Sequence, residues 1–423
     1  MDRYVISRPI RVVIAIFVLA TFALYLGTIW SLWRADWLQH RPDLRSLEAS
    51  AHLQPWNAQT QWMLGQYSLN ATQDYATALT LLQRAVKLNP YKGRYWLDLA
   101  AAYQVGGETN KSQEALERAL RAEPTSTEIA WETANFYLAQ NDIKRALPLL
   151  RVALQHDPKY ATAAIELSWR VTRSVQRMIN ETLPAQPAPY FALLKLLVTQ
   201  NQSLPASEVW RALIAQSSTF PTEEAFPYFD YLIHAQLIEQ AKNVWADLIK
   251  VHPELQNGAT SNLISDSGFE MKFVNGGFGW RRREHDPVNA YFDTKEFHSG
   301  ARSLRIAFTG PAVSDFGLYQ YIPVQPSTTY RFGAYVKTKD LITASGPRLA
   351  VEDSATGKVL ASTDEFLDTS GWSKHSAEFV TGTDTHLVTL RLVRIPGNLL
   401  IKGAFWLDDV ELTPIPPVQS ATP

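Results

Sequence analysis

The chain has no cysteine at any of its 423 positions. Disulfides, zinc–thiolate centres and cysteine nucleophiles are excluded together, and the sequence suits an oxidising or a reducing compartment equally. It also lacks net charge, because 40 lysines and arginines against 41 aspartates and glutamates leave −1. No global field recruits nucleic acid or anionic lipid. Catalytic signatures are missing as well. There is no His-Glu-x-x-His and no Gly-x-Ser-x-Gly, and Gly276-Gly277-Phe278-Gly279 is without the lysine and following helix that phosphate binding requires. The paired carboxylates Glu223-Glu224 and Asp408-Asp409 are sequence neighbours, which on a strand point to opposite faces. The nine histidines show no metal-ligand spacing. Arg281-Arg282-Arg283 is followed by Glu284 and Asp286 and reads as a solvated loop, not a nucleic-acid patch. The composition points away from catalysis and towards binding.

At this length one core does not suffice, and two or three domains are expected. The first landmark is an uncharged run of 22 residues, Val12 to Trp33, long enough to cross a bilayer as one helix. Trp30, Trp33 and Trp37 crowd its far end, as aromatic residues do at a membrane interface. A cleaved signal peptide is the competing reading, but the apolar stretch is long for one and no small-x-small cleavage pattern follows. Arg3, Arg8 and Arg11 precede the run, and Arg34, Arg41 and Arg45 follow it, so charge does not fix the orientation. The orientation expected, mainly from the character of the C-terminal domain, is a short cytoplasmic tail (1–11), a span (12–33) in an inner membrane and an extracytoplasmic, periplasmic bulk.

Beyond a juxtamembrane lead-in (34–55), with a short helix from Asp43 to His52, residues 56–255 read as helical. Pro90, Pro124 and Pro158 recur at a spacing of 34, each with an alanine five residues earlier: Ala85, Ala119 and Ala153. Trp96-x-x-Leu99-Ala100-x-x-Tyr103 is answered by Ala130-x-x-Thr133-Ala134-x-x-Tyr137, and Ala146 is a further small residue of the pattern. Small residues let two antiparallel helices approach, large ones fill the gap, and proline stops the second helix. About six helical pairs are expected, three regular and three degenerate. Arg170, Arg173 and Arg177 form a basic stripe at helical spacing, read as a solvated face or, more sharply, as a groove lining.

After a polar linker (256–261) the period changes to two. Leu304, Ile306 and Phe308 alternate with Ser303, Arg305 and Ala307, and Val388, Leu390 and Leu392 alternate with Thr389 and Arg391. Tyr330, Phe332, Ala334 and Val336 do the same, and short strands between glycine and proline turns mean an all-β sandwich, here 262–415. The tail, 416–423, is proline-rich and expected to be disordered. The fold class expected is multidomain: one transmembrane helix, an all-α solenoid, then an all-β jelly roll.

The 34-residue landmarks resemble the tetratricopeptide repeat, most clearly over Gln61 to Pro158. That resemblance implies a stacked solenoid whose concave groove holds a protein partner. Five motifs resemble the jelly-roll carbohydrate-binding modules attached to xylanases and glucanases. They are Asn262-Leu263-Ile264 with Gly268-Phe269-Glu270, His298 to Leu304, Thr329 to Val336, Gly371-Trp372, and Trp406 to Leu412. The resemblance implies two sites. One is a structural calcium held by Glu270 and by Asp408 or Asp409, with Glu296 as a further ligand. The alternative is that Glu270 and Asp408 cap turns or meet Arg302. The other site is a sheet face that stacks on sugar rings. Tyr319, Tyr321, Tyr335, Arg305, Arg331 and Arg391 lie on the parity opposite the core, and Trp280 and Trp372 could flank the cleft, with Trp372 and Trp406 better suited to plug the sandwich ends. Against this, tyrosine suits any half-buried strand position. The function expected is a membrane-anchored scaffold of envelope or exopolysaccharide assembly that binds a protein partner and glycan. A pure assembly factor whose sandwich no longer binds sugar, and a subunit bringing an enzyme to polysaccharide, are the alternatives.

Overall fold

The computed structural model describes residues 8–41, 43–256, 261–283 and 288–416. The start of the N-terminal tail, most of the linker, Glu284 and Asp286, and the proline-rich tail from 417 lie outside the described residues. The helical part comprises α1 (Arg8–Gln39), α2 (Leu44–Leu53), α3 (Ala58–Asn70), α4 (Tyr75–Leu88), α5 (Gly93–Val105), α6 (Thr109–Ala122), α7 (Thr127–Ala139) and α8 (Ile143–His156). It continues with α9 (Ala161–Thr172), α10 (Val175–Arg177), which runs into a π-turn at Met178–Thr182, then α11 (Pro187–Thr199), α12 (Ser203–Ala215), α13 (Phe226–His234) and α14 (Ile238–Val251). The sandwich follows as ten strands. The chain divides into two compact units, Met1–Ala192 and Leu193–Pro423.

In the first unit, α1 is one unbroken helix with two different surroundings. Val12 onward is long and apolar enough to cross a membrane, and it is exposed in this structure. The helix does not stop where the uncharged run ends. Its last turns pass Arg34, Ala35 becomes fully buried, and Ser50 Oγ on α2 donates to the Ala35 carbonyl at 2.8 Å. Gln39 Oε1 accepts from Thr60 Oγ1 on α3 at 3.1 Å. The apolar helix is thus built into the first helices of the repeats.

The repeat landmarks do what their sizes demand. Leu99, Ala100, Ala119, Ala134, Tyr137, Ala146 and Ala153 are buried, while Trp96 and Tyr103 pack against the core from its margin. Helices α4 and α6 end just before Pro90 and Pro124, and a 3-10 turn opens at Pro158. Starts are set by side-chain caps: Asp43, Asn57, Asp74, Ser126 and Asp142 each accept a backbone N–H of the turn they open. Gly93 marks the tightest approach, since a Cβ there would sit 2.2 Å from Ile129 Cδ1. The basic stripe is not continuous. α9 ends at Thr172, Arg173 takes a left-handed conformation, and Arg177 pairs with Glu181 on the next short helix.

The strands are β1 (Arg281–Arg282), β2 (Val288–Asp293), β3 (Ser303–Gly310), β4 (Asp315–Pro323), β5 (Thr329–Ile342), β6 (Arg348–Asp353), β7 (Val359–Ser362), β8 (Asp368–Val380), β9 (Leu387–Val393) and β10 (Ile401–Pro414). They form two antiparallel sheets, β1-β4-β9-β6-β7 and β2-β3-β10-β5-β8. The apolar parity of each strand, such as Leu304, Ile306 and Phe308 or Val388, Leu390 and Leu392, faces the shared core.

Within the second unit, α13 and α14 pack on the sandwich. Phe278 is buried edge-on against Phe229 at 4.8 Å and lies 6.0 Å from Trp245. Gly277 has φ +57, and a Cβ there would meet Trp245 at 1.9 Å. The Gly-Gly-Phe-Gly turn is therefore a knob seated against the last helical pair. The Arg281 guanidinium adds two hydrogen bonds to the Asp230 carboxylate, one at 3.1 Å. Arg281 consequently is not part of a solvated loop.

Candidate functional site

The six strand residues singled out from parity do not form one site. β4 and β5 are consecutive in sequence but belong to different sheets, so side chains opposite the core point outward on opposite sides of the sandwich. Tyr319, Tyr321 and Arg391 share the outer face of the β1-β4-β9-β6-β7 sheet. Tyr335, Arg305 and Arg331 lie on the other sheet.

On the first face, Tyr319 and Tyr321 meet edge-on at 5.5 Å, with Arg283 over Tyr319 and Arg281 over Tyr321 at 5.5 and 5.3 Å. Burial, and then the neighbouring Tyr319, hold the Tyr321 hydroxyl above its ordinary pKa. Arg391 is spent on two carboxylates, Asp315 and Glu352, the latter at 3.1 Å. The cavity between these groups measures about 210 Å³, below the roughly 300 Å³ at which small-molecule pockets begin. Trp280 does not flank it. Its side chain is buried in the sandwich core at 5.0 Å from Phe269, with its indole N–H donated to the Asp266 carbonyl.

The second face divides further. Tyr335 is covered by the His298 imidazole, stacked at 3.6 Å, and His298 Nδ1 lies 2.6 Å from Asp409 Oδ2. Trp372 is half-exposed on β8 beside His298 and is not a core residue. Arg331 is exposed and paired with Glu378. Arg305 sits elsewhere, in an open trough of about 870 Å³ bordered by β2, β3, β10, β5 and β8. Trp406 forms its floor and does not plug a sandwich end. On β10 the flanking Phe405 and Leu407 point into the core, which sends the Trp406 indole outward, where it donates to Asp293 Oδ2 at 2.9 Å. Burial alone would raise the Asp293 carboxyl, but that indole bond and the N–H groups of Lys295 and Glu296 hold it below the usual carboxylate value. Tyr291, Asp293, Lys337 and Trp406 escaped the reading of the sequence as one group. The parity of Trp406 between two core residues was the available signal.

The carboxylates considered for calcium are partly gathered. Glu270, Asp408 and Asp409 lie around Gly268. Glu270 Oε1 accepts the Ala301 N–H at 2.8 Å, and Asp408 Oδ2 accepts those of His298 and Ser299 at 2.8 and 3.2 Å. Asp409 Oδ1 accepts the Ser299 hydroxyl at 2.7 Å. Glu296 is drawn away to Lys337 Nζ. Burial raises the Asp408 carboxyl against those N–H groups. Those oxygens face N–H and O–H donors, and among the described residues no group of three or more acidic or histidine side chains is arranged for a metal.

In the first unit, Arg94 on α5 joins Asp98 at 3.0 Å, Glu128 at 2.7 Å and Glu132 at 3.0 Å, the last two on α7, and Trp62 Nε1 on α3 lies 2.5 Å from Asp98 Oδ2. Beside this network a cavity of about 260 Å³ is lined by Leu97, Gln104, Glu132 and Phe136.

The model of the tetratricopeptide repeat matches residues 69–132, and that of a carbohydrate binding domain matches residues 261–394. The chain joins tetratricopeptide repeats to a carbohydrate-binding-module-like β-sandwich. Interferon-induced protein with tetratricopeptide repeats 2 of Cricetulus griseus is 30% identical over 100 residues, 24% of this chain; the match spans about a fifth, 21%, of that relative's length. Among solved structures, the CBM22-1 xylan-binding domain of Paenibacillus barcinonensis Xyn10C is similar at 16% identity and a TM-score of 0.26, covering 38% of this chain and all of that one, 100%. YrrB, a tetratricopeptide protein with an unusual peptide-binding site, is similar at 13% identity and a TM-score of 0.25, covering 49% of this chain and 93% of that one.

Proposed function

We propose that this protein is a membrane-anchored, non-catalytic scaffold of bacterial envelope or exopolysaccharide assembly, with its bulk outside the cytoplasm. Its repeats hold a protein partner and its sandwich binds carbohydrate. The observation that carries this reading is the shared core of the second unit, where Phe278 is wedged against Phe229 and Trp245 and Arg281 is tied to Asp230. A sandwich fixed to its last helical pair cannot swing independently of it, so a ligand held by one is held in register with the other. The apolar part of α1 serves as the anchor, and the last turns of the same helix, bonded to α2 and α3 through Ala35 and Gln39, fix the repeats to it.

The small, ion-paired cavity beside Tyr319 and Tyr321 supports a second reading, a pure assembly factor without sugar binding. One experiment separates the two. The full chain is expressed in a Gram-negative host, spheroplasts are treated with protease, and the purified protein is titrated with soluble polysaccharides. Membrane association, degradation from the outer side and saturable polysaccharide binding are expected. A soluble or protease-protected protein defeats the anchored, extracytoplasmic placement. Absence of binding to every polymer by the folded protein leaves the assembly factor.

A further inference from the structure

We propose that the end of the repeat stack from which α3 and α5 start is a membrane-contact face, with Trp56 and Tyr91 seated in the lipid headgroup layer. This rests on the reading of α1 as a membrane span and extends the lipid contact from the span to the repeats themselves.

The first observation is one of level. At about 1.5 Å per residue, Val12 to Trp33 covers about 31 Å as a helix, matching a hydrocarbon core roughly 30 Å thick. Trp33 therefore stands at the boundary, and the headgroup region adds about 5–7 Å beyond it. α2 runs back along α1 towards that boundary. Ser50 Oγ donates to the Ala35 carbonyl, and one turn later Gln54 Nε2 donates to the Leu32 carbonyl at 3.3 Å. The carbonyl that Gln54 reaches belongs to the uncharged run itself. Pro55 and Trp56 follow at once, so the loop between α2 and α3 lies at the depth of the headgroups.

The second is the register of the repeats. Trp62 on α3 meets Tyr95 on α5 at 5.5 Å, and Arg94 on α5 reaches Glu128 on α7 at 2.7 Å. All four residues stand in the first or second turn of their helices, so α3, α5 and α7 start at one level. The loops that precede α3 and α5 are therefore at the same end of the stack. They present Trp56, 65% exposed, and Tyr91, 81% exposed. Rings with an apolar body and a polar tip settle at a membrane–water interface. These two continue the belt of Trp30, Trp33 and Trp37, which are also exposed.

The third is the contrast between the two ends. The loops 54–57 and 89–92 hold no acid, and the second ends on Lys92, which pairs with Glu123 at 3.1 Å. At the opposite end an acid stands immediately before each helix: Asp74 before α4, Glu108 before α6 and Asp142 before α8. Tyr75 and Val105 are exposed there too, at 41% and 54%, but beside those carboxylates. Acidic groups are repelled by an anionic lipid surface, so the acid-free end is the one that fits it.

The lack of cysteine supplies the test, because one introduced cysteine carries one probe. Leu24→Cys, Trp56→Cys, Tyr91→Cys and Asn110→Cys are each labelled with bimane in the full chain. The proteins are placed in nanodiscs of phosphatidylethanolamine and phosphatidylglycerol that hold a nitroxide either on the headgroup or deep on the acyl chain. All four native side chains are exposed, so the label displaces no core, and thermal midpoints confirm folding. Position 24 lies in the span, and position 110 lies on α6 at the opposite end of the stack. The acyl-chain nitroxide is expected to quench position 24, the headgroup nitroxide to quench positions 56 and 91, and neither to quench position 110. Quenching at 24 with 56 and 91 as bright as 110 overturns the contact face and leaves the span. Headgroup quenching at 110 equal to that at 56 and 91 overturns it as well, since the two ends would then not differ. No quenching at position 24 overturns the span and this inference with it.

Discussion

Replacing Asp230 by alanine tests the joint between helices and sandwich most sharply, because the two ends of its ion pair are unequally buried. The Arg281 side chain is 9% exposed and that of Asp230 is 36% exposed. Arg281 also donates to the Gly277 carbonyl at 3.2 Å, and its Nε has no partner. Burial disfavours the Arg281 cation, and the Asp230 hydrogen bond and charge override that penalty. Breaking a fully buried pair by deleting one partner costs about 3–5 kcal/mol, chiefly for the stranded charge. Asp230 is about a third exposed, so water already shares its charge, and about 2–3 kcal/mol is the fitting range for Asp230→Ala. Arg281→Met keeps an apolar stem beside Tyr321 and leaves Asp230 free to hydrate, at about 1 kcal/mol. The Asp230→Leu, Arg281→Met double variant should lie close to wild type. For a unit of this size each kcal/mol shifts the midpoint by roughly 2–4 °C. Differential scanning calorimetry of the full chain should then show the second unit's transition lowered by ~4–12 °C in Asp230→Ala and by ~2–4 °C in Arg281→Met. Equal shifts, or a larger one for Arg281→Met, would refute the argument that a buried cation is stabilised here by a wetter anion.

Phe278→Ala should cost about 3–5 kcal/mol, and proteolysis should then cut more readily between α14 and the sandwich; an unchanged cleavage pattern would separate the two as independent bodies. Ser50→Ala, which removes the bond to the Ala35 carbonyl, should cost about 1 kcal/mol and speed hydrogen exchange at the end of α1. Exchange at the wild-type rate would show that the helix end is not locked to α2. Burial raises the Asp98 carboxyl above 3.8, against the Trp62 and Arg94 bonds that lower it. Its folded pKa exceeds its unfolded one, so its contribution falls as pH rises from the ordinary value through the raised one. The stability difference between Asp98→Asn and wild type, followed by urea titration, should change with pH in that window, and a flat difference would contradict it. Calcium should leave the second unit's midpoint unchanged, since Glu270, Asp408 and Asp409 already accept N–H or O–H groups. A chelator-reversible rise would show that the loop rearranges around the ion.

Local periodicity alone determined the element types. The 34-residue spacing placed three helix pairs, because small residues and prolines act within a few turns of where they stand. Period-two alternation placed β3, β5 and β9 with the correct side inward, since the pleat sends successive residues to opposite faces. It named the right outward residues for the same reason, but not which outward residues are neighbours. Tyr319 and Tyr335 share parity and stand on opposite sides of the sandwich, because sheet membership is set by long-range pairing that alternation does not encode. Trp280, Arg281 and the Gly-Gly-Phe-Gly turn looked like loop residues because their partners, Phe269, Asp230 and Trp245, lie elsewhere in the chain. The trough over Trp406 likewise draws on five strands. Patterns carried by the chain's own backbone period were legible in order of residues, and whatever depends on which distant strands and helices close on one another was decided by the tertiary structure.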